Sequence, residues 1–299
     1  MYEQLIEEFI YECRIRNYSQ RTLKGYKNNN LYLFRYIKSE FSITDVKQVT
    51  RKQIKLFIDY QLKKGCKASY VNSTIKSYRA FFKYLKQEEY IEISPIDNMP
   101  LLKDKKTVIK TFTNKDIKAI LKNTSDKSYI DIRNKLIISM LLDTGIRCTE
   151  SCILPISAIG DGYILILGKG NKERIVPCSV VLNKLIIRYL RYREEYFKYK
   201  DIPDNLFLSR TGRPLTVEAV EYIIKQICDK ANIKNIRCSP HTFRHYYAQQ
   251  MLKNGTDVYS LSRLLGHSNI NITQVYLNDL NDNDIVASRV NNTPLCTLK

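Results

Sequence analysis

"SPHTFRHYYAQQMLKNG", residues 239–255, carries its own punctuation for a helix. Ser239 and Pro240 suit a start, since a hydroxyl can accept a first-turn N–H and proline loses no hydrogen bond there. Gly255 suits the end. His241 and Arg244 are three residues apart, so one face of the helix presents both to a common point. The chain's three histidines, 241, 245 and 267, fall in this segment or just after it, and Tyr276 follows in "LLGHSNINITQVYLND", residues 264–279. A lone histidine is usually a core or surface filler. Three of them beside a tyrosine are hard to attribute to packing.

Working back from there, Thr216 caps a helix "VEAVEYIIKQICDKANI", and "DNLFLSRTGRPLT", 204–216, reads as a short strand and turn. "DGYILILGKGNKERIVPCS", 161–179, is two strands joined by a glycine-rich basic turn, with Lys169 and Lys172 at its tip. Its "GKG" lacks the spacing and following helix of a nucleotide-binding loop. "NKLIISMLLDTGIRCTESCI", 134–153, is an apolar helix broken at Gly145 with a second helical start behind it. That break lets Arg147 project from a helix N-terminus into a cleft.

The amino-terminal third has a different texture. Leu5, Ile6, Phe9, Ile10 and Cys13 fall at helical spacing; Ser19 and Thr50 cap two further helices; Val71, Ile75, Tyr78, Phe82 and Leu85 mark a fourth. Residues 1–98 read as a small all-helical domain. The proline- and lysine-bearing stretch around 99–112 reads as a basic interdomain linker, and Thr113 with Asp116 opens a larger second domain, 113–299, in capping-box style. The fold class expected is mainly α with a small β-hairpin or sheet.

Composition bounds the partner. The 299 residues carry a formal net charge of +19, +10 within residues 1–110 and +9 within 111–299, so both halves suit a polyanion, of which nucleic acid is the commonest. Arg21, Lys24, Lys27, Lys67, Lys76, Arg79 and Lys83 lie on polar helix faces among tyrosines and asparagines, a pattern that suits phosphate backbones better than base reading. A merely solvated face is the competing reading. No run reaches the roughly 18 apolar residues of a membrane span, and the acidic, amphipathic start is unlike a signal peptide, so a cytoplasmic protein without membrane contact is expected. Eight cysteines without a CxxC pair suggest neither a disulfide framework nor a zinc site; Cys148 and Cys152 read as small core residues.

Arginines, lysine, histidines and tyrosine have one reaction in common. Two guanidiniums can fork onto the nonbridging oxygens of a phosphodiester and stabilise a pentavalent transition state. A phenol can attack the phosphorus if a neighbour helps remove its proton, and a lysine on a mobile hairpin can protonate the departing oxygen. No carboxylate cluster suited to Mg²⁺ accompanies them, so neither metal nor other cofactor is expected.

The boxes "TGIRCTE", "GKGNKER", "HTFRHYYA" and "LGHSNINITQVY", in that order, resemble the tyrosine recombinase (phage integrase) family over nearly the whole chain, with spacing closest to Xer-type and small transposon-borne members. The resemblance implies a helical core-binding domain, a mixed α/β catalytic domain with a C-terminal tail, and site-specific cutting and rejoining of double-stranded DNA. Carried over by position, it makes Arg147 and Arg244 the phosphate clamp, Lys169 the general acid, His241 a proton-transfer residue, His267 a second phosphate contact and Tyr276 the nucleophile of a 3′-phosphotyrosyl bond. Glu150 and His245 fall at supporting positions, and Lys172 shares the turn with Lys169. The resemblance further implies two domains clamping a duplex, a homo-tetramer on paired sites passing through a Holliday junction, and in some relatives a partner recombinase or directionality factor. It leaves the tail near 284–290 either as a helix docked on a neighbouring subunit or as a frayed end. An extra arm-binding domain is not expected. Cys148, Thr149, Ser151 and "NINIT" depart from the commoner family residues without removing a chemical group. Two other classes stay open on the residues alone: a type IB topoisomerase-like nicking and closing enzyme, which would relax supercoils without a specific site, and an architectural DNA-binding protein, whose output would survive Tyr276→Phe.

Overall fold

A computed structural model of the protein describes residues 2–104, 110–168, 173–267 and 269–276. The chain divides into two compact units, 1–107 and 108–299. The first contains α1 (Tyr2–Ile15), α2 (Gln20–Phe41), α3 (Arg51–Lys63) and α4 (Ala68–Gln87). Local chemistry sets their starts: Ser19 accepts the Thr22 N–H, and Thr50 forms a reciprocal capping box with Gln53. Each helix then turns an apolar stripe inward. Phe9, Phe34, Phe57, Tyr78, Phe81 and Phe82 are buried together, with Phe34 and Phe81 meeting edge to face at 5.7 Å.

The stretch after α4 packs back onto this unit as far as residue 102. Ile96 and Met99 are buried in its core, and the Asn72 side chain holds Leu102 at both backbone groups, donating to its carbonyl at 3.0 Å and accepting its N–H at 2.8 Å. Arg21, Lys24, Lys67, Lys76 and Lys83 are exposed, whereas Arg79 is half-buried and donates to the Met99 carbonyl.

The second unit begins with α5 (Asn114–Lys122), opened by the Thr113–Asp116 capping box. α6 (Tyr129–Thr144) follows, buried on most sides because its Ile- and Leu-rich sequence leaves only a narrow polar line of Asp131, Lys135, Ser139 and Asp143. After α7 (Cys148–Ile153) comes an antiparallel hairpin of β1 (Tyr163–Leu167) and β2 (Glu173–Pro177), in a register that pairs Tyr163 with Pro177 and Leu167 with Glu173. α8 (Val180–Tyr196) packs on α6; its periodicity in "VVLNKLIIRYLRYREEY" was passed over in the sequence reading. Then come α9 (Val217–Lys230), α10 (Pro240–Lys253), α11 (Val258–Leu265) and the single turn α12 (Asn271–Gln274).

The strand expected at 204–216 is absent among the described residues; only isolated bridges, Pro155 to Asn205 and Leu208 to Pro214, occur there. Side chains supplement the few backbone pairs, such as Leu206 N–H to the Leu154 carbonyl and Leu215 N–H to the Phe207 carbonyl. The Leu208 carbonyl accepts from Tyr129 and Arg133, the Leu206 carbonyl from Tyr189, and those of Pro203 and Asn205 from Arg193. A small satellite core of Tyr247, Ala248, Leu252, Leu261, Leu265 and Tyr276 lies beside the main one. No helix among the described residues is long and apolar enough to cross a membrane.

Candidate active site

The site is assembled where α6, α10 and α11 end or begin. α6 terminates at Gly145 in the left-handed conformation, φ 60°. A Cβ there would come within 2.3 Å of the Tyr247 ring, so glycine is required both for the turn and for the close approach of α10. Two residues on, Arg147 stands at the N-terminus of α7. The Glu150 carboxylate accepts the Arg147 backbone N–H at 2.8 Å and its Nη1 at 2.8 Å, so one residue both caps the helix and steers the guanidinium. Arg147 Nη2 donates to the Gly266 carbonyl at 2.8 Å, and the side chain remains 34% exposed.

Arg244, one turn into α10, is buried. Its Nη1 donates to the Gly145 carbonyl at 2.6 Å and its Nη2 to the Leu265 carbonyl at 2.6 Å. A third arginine, Arg174 on β2, donates from Nε to the Leu264 carbonyl at 2.8 Å and forks onto Glu150 at 2.9 and 2.7 Å. Three successive carbonyls at the C-terminal end of α11, those of Leu264, Leu265 and Gly266, thus each accept a different guanidinium. Carbonyls at a helix C-terminus have no partner within the helix and carry its negative end, so they offset the mutual repulsion of the arginines. Glu150 supplies the one full negative charge. Burial works against that charge, but the hydrogen bonds and charges of Arg174 and Arg147 outweigh it and hold the carboxyl below its ordinary pKa.

His267 follows the Gly266 turn. Its Nε2 lies 3.0 Å from Arg244 Nη2 and its Nδ1 2.8 Å from Thr273 Oγ1. Since the guanidinium only donates, Nε2 accepts and Nδ1 carries the proton to the buried threonine. Burial and the positive charges of Arg244, Arg147 and Arg174 push its pKa down to about 4, so the imidazole is neutral at pH 7. The Tyr276 phenol is buried, edge-on to His245 at 4.9 Å and stacked beyond His267 at 6.3 Å. Burial raises its pKa against the opposing pull of Arg244 and Arg147, so it is protonated at neutral pH. Arg244 is itself lowered to about 10, chiefly by burial and then by Arg147, and stays charged.

Arg147, Glu150, Arg244, His245, His267 and Tyr276 are thus brought together. His241 is on the first turn of α10 with its imidazole exposed and makes no hydrogen bond among the described residues. Lys169 and Lys172 lie outside the described residues, as does the tail near 284–290. Arg174 was missed in the sequence, although its box was legible. The alternation that puts Val176 inside puts Arg174 on the same face and turns Ile175 outward, and that inward arginine was the available signal.

Comparison with known proteins agrees with this geometry. Residues 110–283 match the phage integrase family and residues 6–89 its N-terminal SAM-like domain. The chain is 32% identical over 278 residues to the tyrosine recombinase XerC of Listeria innocua, covering 91% of this chain and 92% of that protein. In fold it is similar to the XerH site-specific recombinase bound to a palindromic difH substrate, with TM-score 0.76, 21% identity, 93% of this chain and 82% of that one. It is similar also to a lambda integrase tetramer bound to a Holliday junction, with TM-score 0.72, 16% identity, 91% of this chain and 76% of that one. With a helical core-binding domain followed by an integrase catalytic domain, the chain belongs to the phage integrase family and is a tyrosine-type site-specific recombinase.

Proposed function

We propose that Tyr276 is the nucleophile and that Arg147 and Arg244 clamp the scissile phosphate. The observation that carries this reading is the placement of Arg244, which is hydrogen-bonded to His267 and to two helix-terminal carbonyls and lies near enough to the Tyr276 phenol, itself stacked beyond His267, for its charge to act on it. A phosphate entering beside the phenol meets a guanidinium already oriented, together with the half-exposed Arg147. Preorganised charge of this kind stabilises a pentavalent phosphorane without reorganisation at the moment of reaction.

In the step proposed, the Tyr276 oxygen bonds to phosphorus, its proton passes to a base, with His241 assigned to proton transfer, and the bond to the 5′ oxygen breaks. Lys169 protonates the leaving oxygen. A 3′-phosphotyrosyl linkage and a free 5′-hydroxyl result, and attack by an incoming 5′-hydroxyl reverses the step with no nucleotide consumed. For His267 to contact the phosphate, its Nε2 must exchange the Arg244 donor for a proton of its own, which the anion favours by countering the surrounding positive charge. Glu150 and His245 support the clamp and the phenol.

Double-stranded DNA is the partner, with core-site binding assigned to residues 1–98 and the 99–102 stretch packed against them, the remainder of the expected linker 99–112 leading on to catalysis in 113–299. Exposed Arg21, Lys24, Lys67, Lys76 and Lys83 supply phosphate contacts. Likeness to a tetramer on a Holliday junction supports four copies acting on two sites. DNA as substrate sets the cytoplasm as the place of work. Nicked duplexes drawn from the DNA flanking the gene test the reading on a denaturing gel. The full-length protein should form a covalent adduct that Tyr276→Phe abolishes without loss of DNA retention; an adduct that survives the substitution would overturn the assignment of Tyr276.

A further inference from the structure

Arg174 has no part in the chemistry just described, yet its side chain is more heavily engaged than that of the proposed clamp residue Arg147. Its side chain is 11% exposed and makes three hydrogen bonds, two to Glu150 and one to the Leu264 carbonyl. Glu150 in turn binds the backbone and the guanidinium of Arg147. The packing is equally tight: a Cβ on Gly266 would come within 3.0 Å of Arg174 Cδ and Nη1, and the Gly266 carbonyl is the other anchor of Arg147. Arg174 therefore borders both groups that hold Arg147, and it sits on the strand leaving the hairpin turn.

We propose that Arg174 is a positioning residue for Arg147. Resting on the recombinase reading above, it fixes the Glu150 carboxylate in the one rotamer that caps α7 and aims the Arg147 guanidinium, and it ties the hairpin strand to the Gly266 turn. A planar fork is needed for this, because a lysine ammonium cannot span both carboxylate oxygens and the carbonyl together.

The test uses the full-length protein and the nicked duplex captured with the wild type. In single-turnover cleavage, Arg174→Ala should slow adduct formation about a hundredfold, the scale of a small misplacement of a catalytic group, with DNA retention unchanged. Arg174→Lys should recover little of it, and that variant decides the matter if the alanine protein does not fold. The same duplex with a methylphosphonate at the scissile position separates positioning from general weakening. That linkage lacks the negative charge that Arg147 neutralises, so the deficits of Arg174→Ala and Arg147→Ala should shrink together on it. Equal deficits on both linkages, or a rate within about threefold of wild type, would overturn the proposal. A second arm needs no DNA: in protein with isotope-labelled arginine, the guanidinium signals of Arg147, identified with Arg147→Lys, should lose their restricted rotation in Arg174→Lys while those of Arg193 keep it. An unchanged Arg147 signal would overturn the proposal, whereas absence of any adduct from the wild type would count against the recombinase reading and leave this arm to judge Arg174.

Discussion

Two groups of arginines in the second unit are seated on backbone carbonyls, and they serve different ends. Arg133 and Arg193 satisfy the carbonyls of Pro203, Asn205 and Leu208 and are surrounded by the hydroxyls of Tyr129 and Tyr189. There is no carboxylate among these contacts and both side chains are buried, so the guanidiniums act as cross-links for a segment that has no strand to pair with. Arg147, Arg174 and Arg244 use the same device on the Leu264–Gly266 carbonyls, but add a buried carboxylate, a neutral imidazole and a phenol, and leave Arg147 partly open. Seating an arginine on carbonyls is therefore a structural habit of this chain. A site arises where the seated charge also faces a nucleophile and an opening.

The contrast breaks down if both groups matter for cleavage, or neither does. Arg244→Ala is expected to reduce adduct formation on the order of a thousandfold, by loss of a preorganised transition-state donor, and single-turnover cleavage checks it. Glu150→Gln leaves Arg174 and Arg147 facing each other without their shared charge. Breaking a buried pair in this way is expected to cost about 3–5 kcal/mol in denaturant unfolding at pH 7. The pH dependence follows from the sign of the shift. A carboxyl held below its usual 4.5 contributes stability that is complete above that value and is lost as pH falls through its folded pKa. The gap between wild type and Glu150→Gln should therefore hold from pH 7 to 5 and close in more acid solution.

Arg193→Met should sharpen the contrast from the other side. Two carbonyls lose their donor, which costs about 1–3 kcal/mol, while the cleavage rate per folded molecule stays at the wild-type value. The smallest effect belongs to the first unit, whose cations are exposed. Lys76→Ala and Lys83→Ala should leave stability unaltered and each lower the slope of log affinity against log salt by about 0.9 if its ammonium sits on a phosphate.

Helix starts were the most legible part of the fold, because Ser19, Thr50, Thr113, Thr216 and Ser239 act on N–H groups only three residues away. Gly145 and Gly255 were readable as breaks for the same local reason. α8 lay between two better-marked segments, and 204–216 misled, since its alternation resembles a strand but its backbone pairs only at isolated bridges and otherwise with side chains. Among the site residues, Tyr276 and the histidines declared themselves by clustering, whereas Arg174 looked like one more cation in a basic hairpin.

The chemical inventory and the local turns are written in the residues themselves: which of them can donate, attack or shuttle a proton, and where most helices open. Folding alone buries particular arginines, shares Glu150 between two of them, and leaves His267 neutral with its proton on Nδ1. Those outcomes depend on carbonyls brought from far along the chain, as with Arg147 and Gly266, 119 residues apart. A backbone carbonyl is the same group at every position. No reading of side chains alone can tell which guanidinium it will hold.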